Sequence, residues 1–142
     1  MLFEGRGSKI MVAEHDRTIL EMLQVRLDVA GYHPIAVRTG ASVLEMLNNI
    51  RPAALVLDLN LPDIDGFRIL AVLQAQAERI ATPTLVVGRQ LAVDDIRRAV
   101  SLGARDCLAM PFSGAEILDR LTRMLKRPSP PQERQKVAYV SH

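Results

Sequence analysis

Short apolar runs alternate with longer stretches of helical spacing along this chain. The runs are Ile10–Ala13, Ile35–Val37, Ala53–Leu57, Leu85–Val87 and Cys107–Met110, with no polar alternation inside them. Strands buried on both faces of a parallel sheet read this way. Between the runs, Leu20, Leu23, Leu27 and Ala30 recur at helical intervals, and Gly31 supplies a stop. Val43, Leu44, Leu47 and Ile50 form a second stripe ended by Pro52, and Ile69, Leu70, Leu73 and Ala77 a third. Val93, Ile96 and Val100 form a fourth, closed by Gly103. Ile117, Leu118, Leu121, Met124 and Leu125 form the fifth, opened by Ser113 with Glu116 three residues on, a capping box. The order is β-α five times over. With right-handed crossovers it predicts an α/β fold, an open parallel sheet with helices on both faces.

Composition places this pattern in one domain. The chain has 142 residues, 49% hydrophobic and 24% charged, as in ordinary globular proteins. Residues 9–126 hold the pattern, residues 1–8 read as a flexible N-terminus, and residues 127–142 as a proline-rich linker or disordered tail. The formal net charge of +2 belongs to that tail, because residues 1–126 carry 15 basic and 15 acidic side chains. A neutral body argues against DNA binding by this domain. A lone Cys107 excludes an internal disulfide and a cysteine zinc site. No apolar run approaches the roughly 20 residues of a membrane span, and the start lacks a signal-peptide core, so a cytoplasmic location is expected.

In a doubly wound sheet, chemistry gathers beyond the carboxyl ends of the strands. Glu14, His15 and Asp16 follow the first run, Asp58 follows the third, and Gly88, Arg89 and Gln90 follow the fourth. Asp58 with acidic neighbours suits a hard divalent cation or a nucleophile toward phosphorus; capping the next turn would explain it equally well. His33, His142, Met22, Met46 and Met124 lack ligand spacing, and the methionines read as core filler.

These residues resemble a known family. Lys9-Ile10-Met11-Val12-Ala13-Glu14-His15-Asp16, then Asp58-Leu59-Asn60-Leu61-Pro62-Asp63-Ile64-Asp65-Gly66, then Thr82-Pro83, Gly103-Ala104-Arg105-Asp106 and Met110-Pro111-Phe112 resemble the CheY-like receiver domain of two-component response regulators. The resemblance implies a flavodoxin-like (βα)5 sheet in the order 2-1-3-4-5. It implies a phosphoacceptor at Asp58, magnesium held by Glu14, His15, Asp58 and the Asn60 backbone, and a cis Met110–Pro111 bond. It implies a sensor histidine kinase or phosphotransfer protein as donor, and output through the fourth helix, fifth strand and fifth helix to a downstream protein or a second copy. No enzymatic activity is expected beyond accepting a phosphoryl group from a kinase or a small phosphodonor.

Several family positions are altered. His15 stands where a second acidic magnesium ligand is usual, which weakens that site, since nitrogen suits magnesium poorly; with Glu14 and Asp58 it would favour zinc. Gly88 replaces a Ser or Thr, Met110 a lysine, and Cys107 an aromatic switch residue. One cation about 4 Å from the phosphoryl group contributes on the order of 4 kcal/mol at an effective dielectric near 20. The hydroxyl bond adds about 1.5–3 kcal/mol. Together they match the roughly 5.5 kcal/mol that carries a two-state equilibrium from 1:99 to 99:1. The expected function is therefore an atypical receiver whose Asp58 survives while its switch is impaired, unless Arg89 turns inward to restore a cation. A fully functional, phosphorylated receiver is the alternative. From a different class, Arg89, Arg97, Arg98 and Arg105 suggest a cyclic di-GMP-binding adaptor. A flavin carrier would share the sheet order, but Glu14-His15-Asp16 is acidic where such proteins cradle phosphate.

Overall fold

The computed structural model describes residues 7–78 and 81–126. Five strands and five helices alternate: β1 (Lys9–Ala13), α1 (Arg17–Val29), β2 (His33–Val37), α2 (Gly40–Leu47), β3 (Ala54–Asp58), α3 (Gly66–Ala75), β4 (Thr84–Arg89), α4 (Val93–Ser101), β5 (Asp106–Met110) and α5 (Gly114–Lys126). All pairings are parallel, and the order is β2-β1-β3-β4-β5. No helix among the described residues is long and apolar enough to cross a membrane.

The pleat divides the core into two layers. Met11, Ala13, Leu55, Leu57 and Val86 pack with Val43, Leu47, Ile69, Leu70 and Ala99, against α2, α3 and α4. Ile10, Val12, Val56, Leu85 and Val87 point the other way, to Leu20, Leu23, Leu27, Ile117 and Leu121 of α1 and α5. Alternate residues of one strand thus feed opposite layers, which is why the strands read as unbroken apolar runs.

Helix ends follow local chemistry. Asp16 caps α1 by accepting the Thr18 and Ile19 N–H groups, and Gly31, at φ +92°, closes the helix in a conformation that glycine adopts freely. The Ser113–Glu116 capping box forms in both directions, at 2.9 and 3.1 Å. Gly66 is required by close approach: a Cβ there would stand 2.6 Å from the Leu59 Cα.

Three expectations are corrected. β2 begins at His33 rather than Ile35, which an edge strand permits because Pro34 lacks an N–H only where no further strand needs one. α2 and α3 end at Leu47 and Ala75, leaving Ile50 and Ala77 beyond them. The α4 stripe has helical spacing but faces solvent, with Val93 63% and Val100 54% exposed, and Ala99 is the buried contact instead. Residues 1–6 of the expected flexible N-terminus lie outside the described residues; next to them Gly7 N–H donates to the Gly31 carbonyl, and the Ser8 carbonyl accepts from His33 N–H. The proline-rich segment 127–142 lies outside the described residues.

Candidate functional site

The register that sets Ala13 opposite Leu57 brings the next two residues, Glu14 and Asp58, side by side at the carboxyl edge of the sheet. Both are buried, at 2% and 5% exposure. Asp58 Oδ1 accepts from Asn60 N–H at 2.9 Å, and Glu14 Oε2 from Asp16 N–H at 2.9 Å. Glu14 Oε1 is buried with no hydrogen-bond partner among the described residues. Burial pushes the Glu14 pKa up to about 7; the Asp16 N–H opposes this, and the facing Asp58 carboxyl adds to it. Two facing carboxyls, one with an orphaned oxygen, ask for a shared proton or a cation between them.

Magnesium therefore fits this donor set, with Glu14, Asp58 and the Asn60 carbonyl as its oxygen ligands. His15 does not complete the set. It is exposed, its backbone carbonyl accepts from Arg38 Nη2 at 2.8 Å, and no three His, Cys, Asp or Glu side chains converge on a metal position among the described residues. The expected joint ligation by Glu14, His15 and Asp58 is not assembled among the described residues. His15 lines the same cleft as Glu14 and Asp58, but the three side chains do not group on one metal position.

Glu14 and Asp58 lie in a cleft of about 490 Å³, whose lining also includes Asp16, Asn60, Arg17, Arg38 and Arg89. Arg89 Nη2 reaches Asp16 Oδ2 at 2.9 Å across the mouth. Three N–H and guanidinium partners, the Ile19 N–H foremost, hold the Asp16 carboxyl below its usual range. The apolar pattern does not single out Arg17 or Arg38. Arg38 follows the apolar run Ile35–Val37 directly, so the strand-end rule applied to the second strand would find it.

The relay positions carry other chemistry. Gly88 is buried and offers no hydroxyl; a Cβ there would come within 2.9 Å of Leu91 Cδ2. Met110 lines an apolar cleft of about 410 Å³ with Ile19, Met22 and Phe112. Cys107 is half-buried, and burial pushes its thiol up to about 11, which keeps it protonated and unreactive. The Met110–Pro111 peptide is cis. Of the four arginines expected to cluster, Arg89 turns to Asp16, Arg98 lies over the Phe67 ring at 4.2 Å, and Arg97 sits 3.9 Å from Asp94. Arg105 lies at the start of β5, its N–H on the Thr84 carbonyl. The side-chain partners of Arg89, Arg97 and Arg98 are thus separate.

A family model described as the response regulator receiver domain matches residues 10–122. Response regulator MprA of Mycobacterium avium is 32% identical over 132 residues, 93% of this chain and 57% of that protein. Transcriptional regulatory protein PrrA of Mycobacterium tuberculosis is 31% identical over 119 residues, 84% of this chain and 50% of that protein. The chain thus spans about half the length of these curated relatives. The receiver domain of Francisella response regulator 1452 superposes with a TM-score of 0.79 and 25% identity, covering 85% of this chain and 98% of that one.

Proposed function

Because this chain belongs to the response regulator receiver domain family, we propose that Asp58 accepts a phosphoryl group in two-component signalling and that the group moves the rest of the fold only weakly. Receiver domains interact with histidine kinases or phosphotransfer proteins, and they bind magnesium at the phosphorylation site. Here the Asp58 carboxylate oxygen attacks the phosphorus of a phosphohistidine. The P–N bond breaks as the P–O bond of an acyl phosphate forms, and the bonding pair returns to the imidazole nitrogen, which takes a proton. Magnesium, when bound, neutralises charge on the phosphoryl oxygens. Asn60 N–H fixes the Asp58 carboxyl, and Glu14 supplies the second carboxylate beside it. The chain does no chemistry of its own beyond this acceptance.

One arrangement carries the weak-switch reading: a buried Asp58 with Gly88 and Met110 at the two relay positions, neither with a side-chain donor for a phosphoryl oxygen. Output then rests on a surface presented in both states. α4 offers Val93, Ile96 and Val100 to solvent, an apolar stripe for a downstream protein or a second copy on the α4–β5–α5 face.

The test is a titration with beryllofluoride and magnesium, or acetyl phosphate, followed by backbone NMR and intact mass. Saturable binding lost in Asp58→Ala, with shifts confined to the loops after β1, β3 and β4 and the first turn of α1, is expected. Shifts spreading through α4, β5 and α5 would sink the weak switch; no adduct at all would sink the acceptor.

A further inference from the structure

A cation does reach the cleft, from a different strand. Val56 and Val87 point into the α1–α5 layer, so Asp58 and Arg89, each two residues further on, lie on that same face of the sheet. Met110 has the same parity after Leu108, and the Arg89 and Met110 side chains line one cleft. Arg89 also lines the cleft that holds Asp58 and Glu14. Its guanidinium is parked on Asp16, the cap of α1, with 64% of the side chain still exposed. With so much of it in solvent, turning to another anion in the same opening breaks one ion pair and no packed contact of the core.

We infer that Arg89 is the phosphoryl-binding cation of this receiver, supplied from the end of β4, and that the phosphoryl group takes it from Asp16. This rests on the reading of Asp58 as acceptor. A guanidinium offers two parallel N–H donors to phosphoryl oxygens, which a carboxylate partner shared with two helix N–H groups does not match. No covalent change is involved: one ion pair opens and another closes. The consequence is directional. The event is felt at the α1 N-terminus, where Asp16 loses its ion partner, rather than along β5, where Met110 cannot respond.

The experiment uses the full chain and measures beryllofluoride affinity, in the presence of magnesium, for wild type, Arg89→Ala, Arg89→Lys, Asp16→Asn and Asp58→Ala, with Arg97→Ala as a surface control. Arg89→Ala is expected to weaken binding about tenfold or more. Arg89→Lys should recover part of the loss. Asp16→Asn keeps a capping oxygen but removes the competing charge, and should bind tighter than wild type. In wild type the Asp16, Thr18 and Ile19 amides should shift on saturation. Wild-type binding that disappears in Asp58→Ala but stays within twofold in Arg89→Ala overturns the role of Arg89 and leaves the acceptor standing. No saturable binding by wild type overturns both, since the guanidinium then has no phosphoryl group to hold.

Discussion

Glu14 is the residue whose charge state the fold controls most tightly. It keeps its proton up to about pH 7 in the folded chain, against an ordinary value of 4.5. Between those values the folded state binds more protons than the unfolded one, so stability falls as pH rises from about 4.5 to 7 and stays lower above. The loss is at most about 3.5 kcal/mol, since a tenfold change in proton affinity is worth about 1.4 kcal/mol. Glu14→Gln should therefore match wild type near pH 5 and exceed it at pH 8, by urea unfolding in metal-free buffer. Magnesium held by Glu14 and Asp58 would compete with that proton, so saturating magnesium should stabilise wild type more at pH 8 than at pH 6. Gly88 gives a second prediction. A Cβ there meets only the mobile end of Leu91 at 2.9 Å, with Asn60 Oδ1 3.8 Å away. Gly88→Ser should thus fold and return the missing hydroxyl to the phosphoryl position. Beryllofluoride should bind it about tenfold tighter, read by the same titration. Unchanged affinity would mean that the end of β4 does not face the phosphoryl group.

Within α1, exposure separates two apolar residues that sequence alone ranks together. Leu23 is fully buried among the α5 contacts, whereas Val25 is 61% exposed. Leu23→Ala should cost about 2–5 kcal/mol, and Val25→Ala should lie within about 0.5 kcal/mol of wild type, by urea denaturation. On α5, Ser113→Ala removes one half of the capping box and should cost about 1 kcal/mol. The capping box is legible because its partners are three residues apart. The N-terminus of α2 is only partly so: its N-cap Thr39 accepts from Ser42 N–H three residues on at 3.2 Å, but a second cap comes from afar. Asp63 accepts the Gly40 and Ala41 N–H groups at 2.7 and 2.9 Å from 23 and 22 residues away, and they hold its carboxyl below the usual range. No local pattern announces such a contact. The fourth stripe shows the opposite failure. Val93, Ile96 and Val100 have the spacing of a core face, but periodicity only says that apolar residues share a side, not that the side is covered.

Across the whole molecule, the two apolar layers run out together at the carboxyl edge of the sheet, and the Glu14–Asp58 pair sits where both end. That location is legible because strand ends are fixed by the apolar runs. The direction of Arg89 is legible only through parity with Val87, a step that needs the strand register rather than the sequence. What reaches the far edge is then decided by β5, where Cys107 and Met110 hold apolar contacts and carry no charge toward the cleft. A face that does not sense the phosphoryl group must look the same in both states. Sedimentation velocity over a concentration series should therefore give one distribution with and without beryllofluoride and magnesium. Ile96→Asp, placed on the exposed stripe, should leave urea stability within about 0.5 kcal/mol of wild type while removing whatever self-association the wild type shows. A beryllofluoride-dependent shift in the wild-type distribution would mean that β5 transmits after all, by packing rather than by charge.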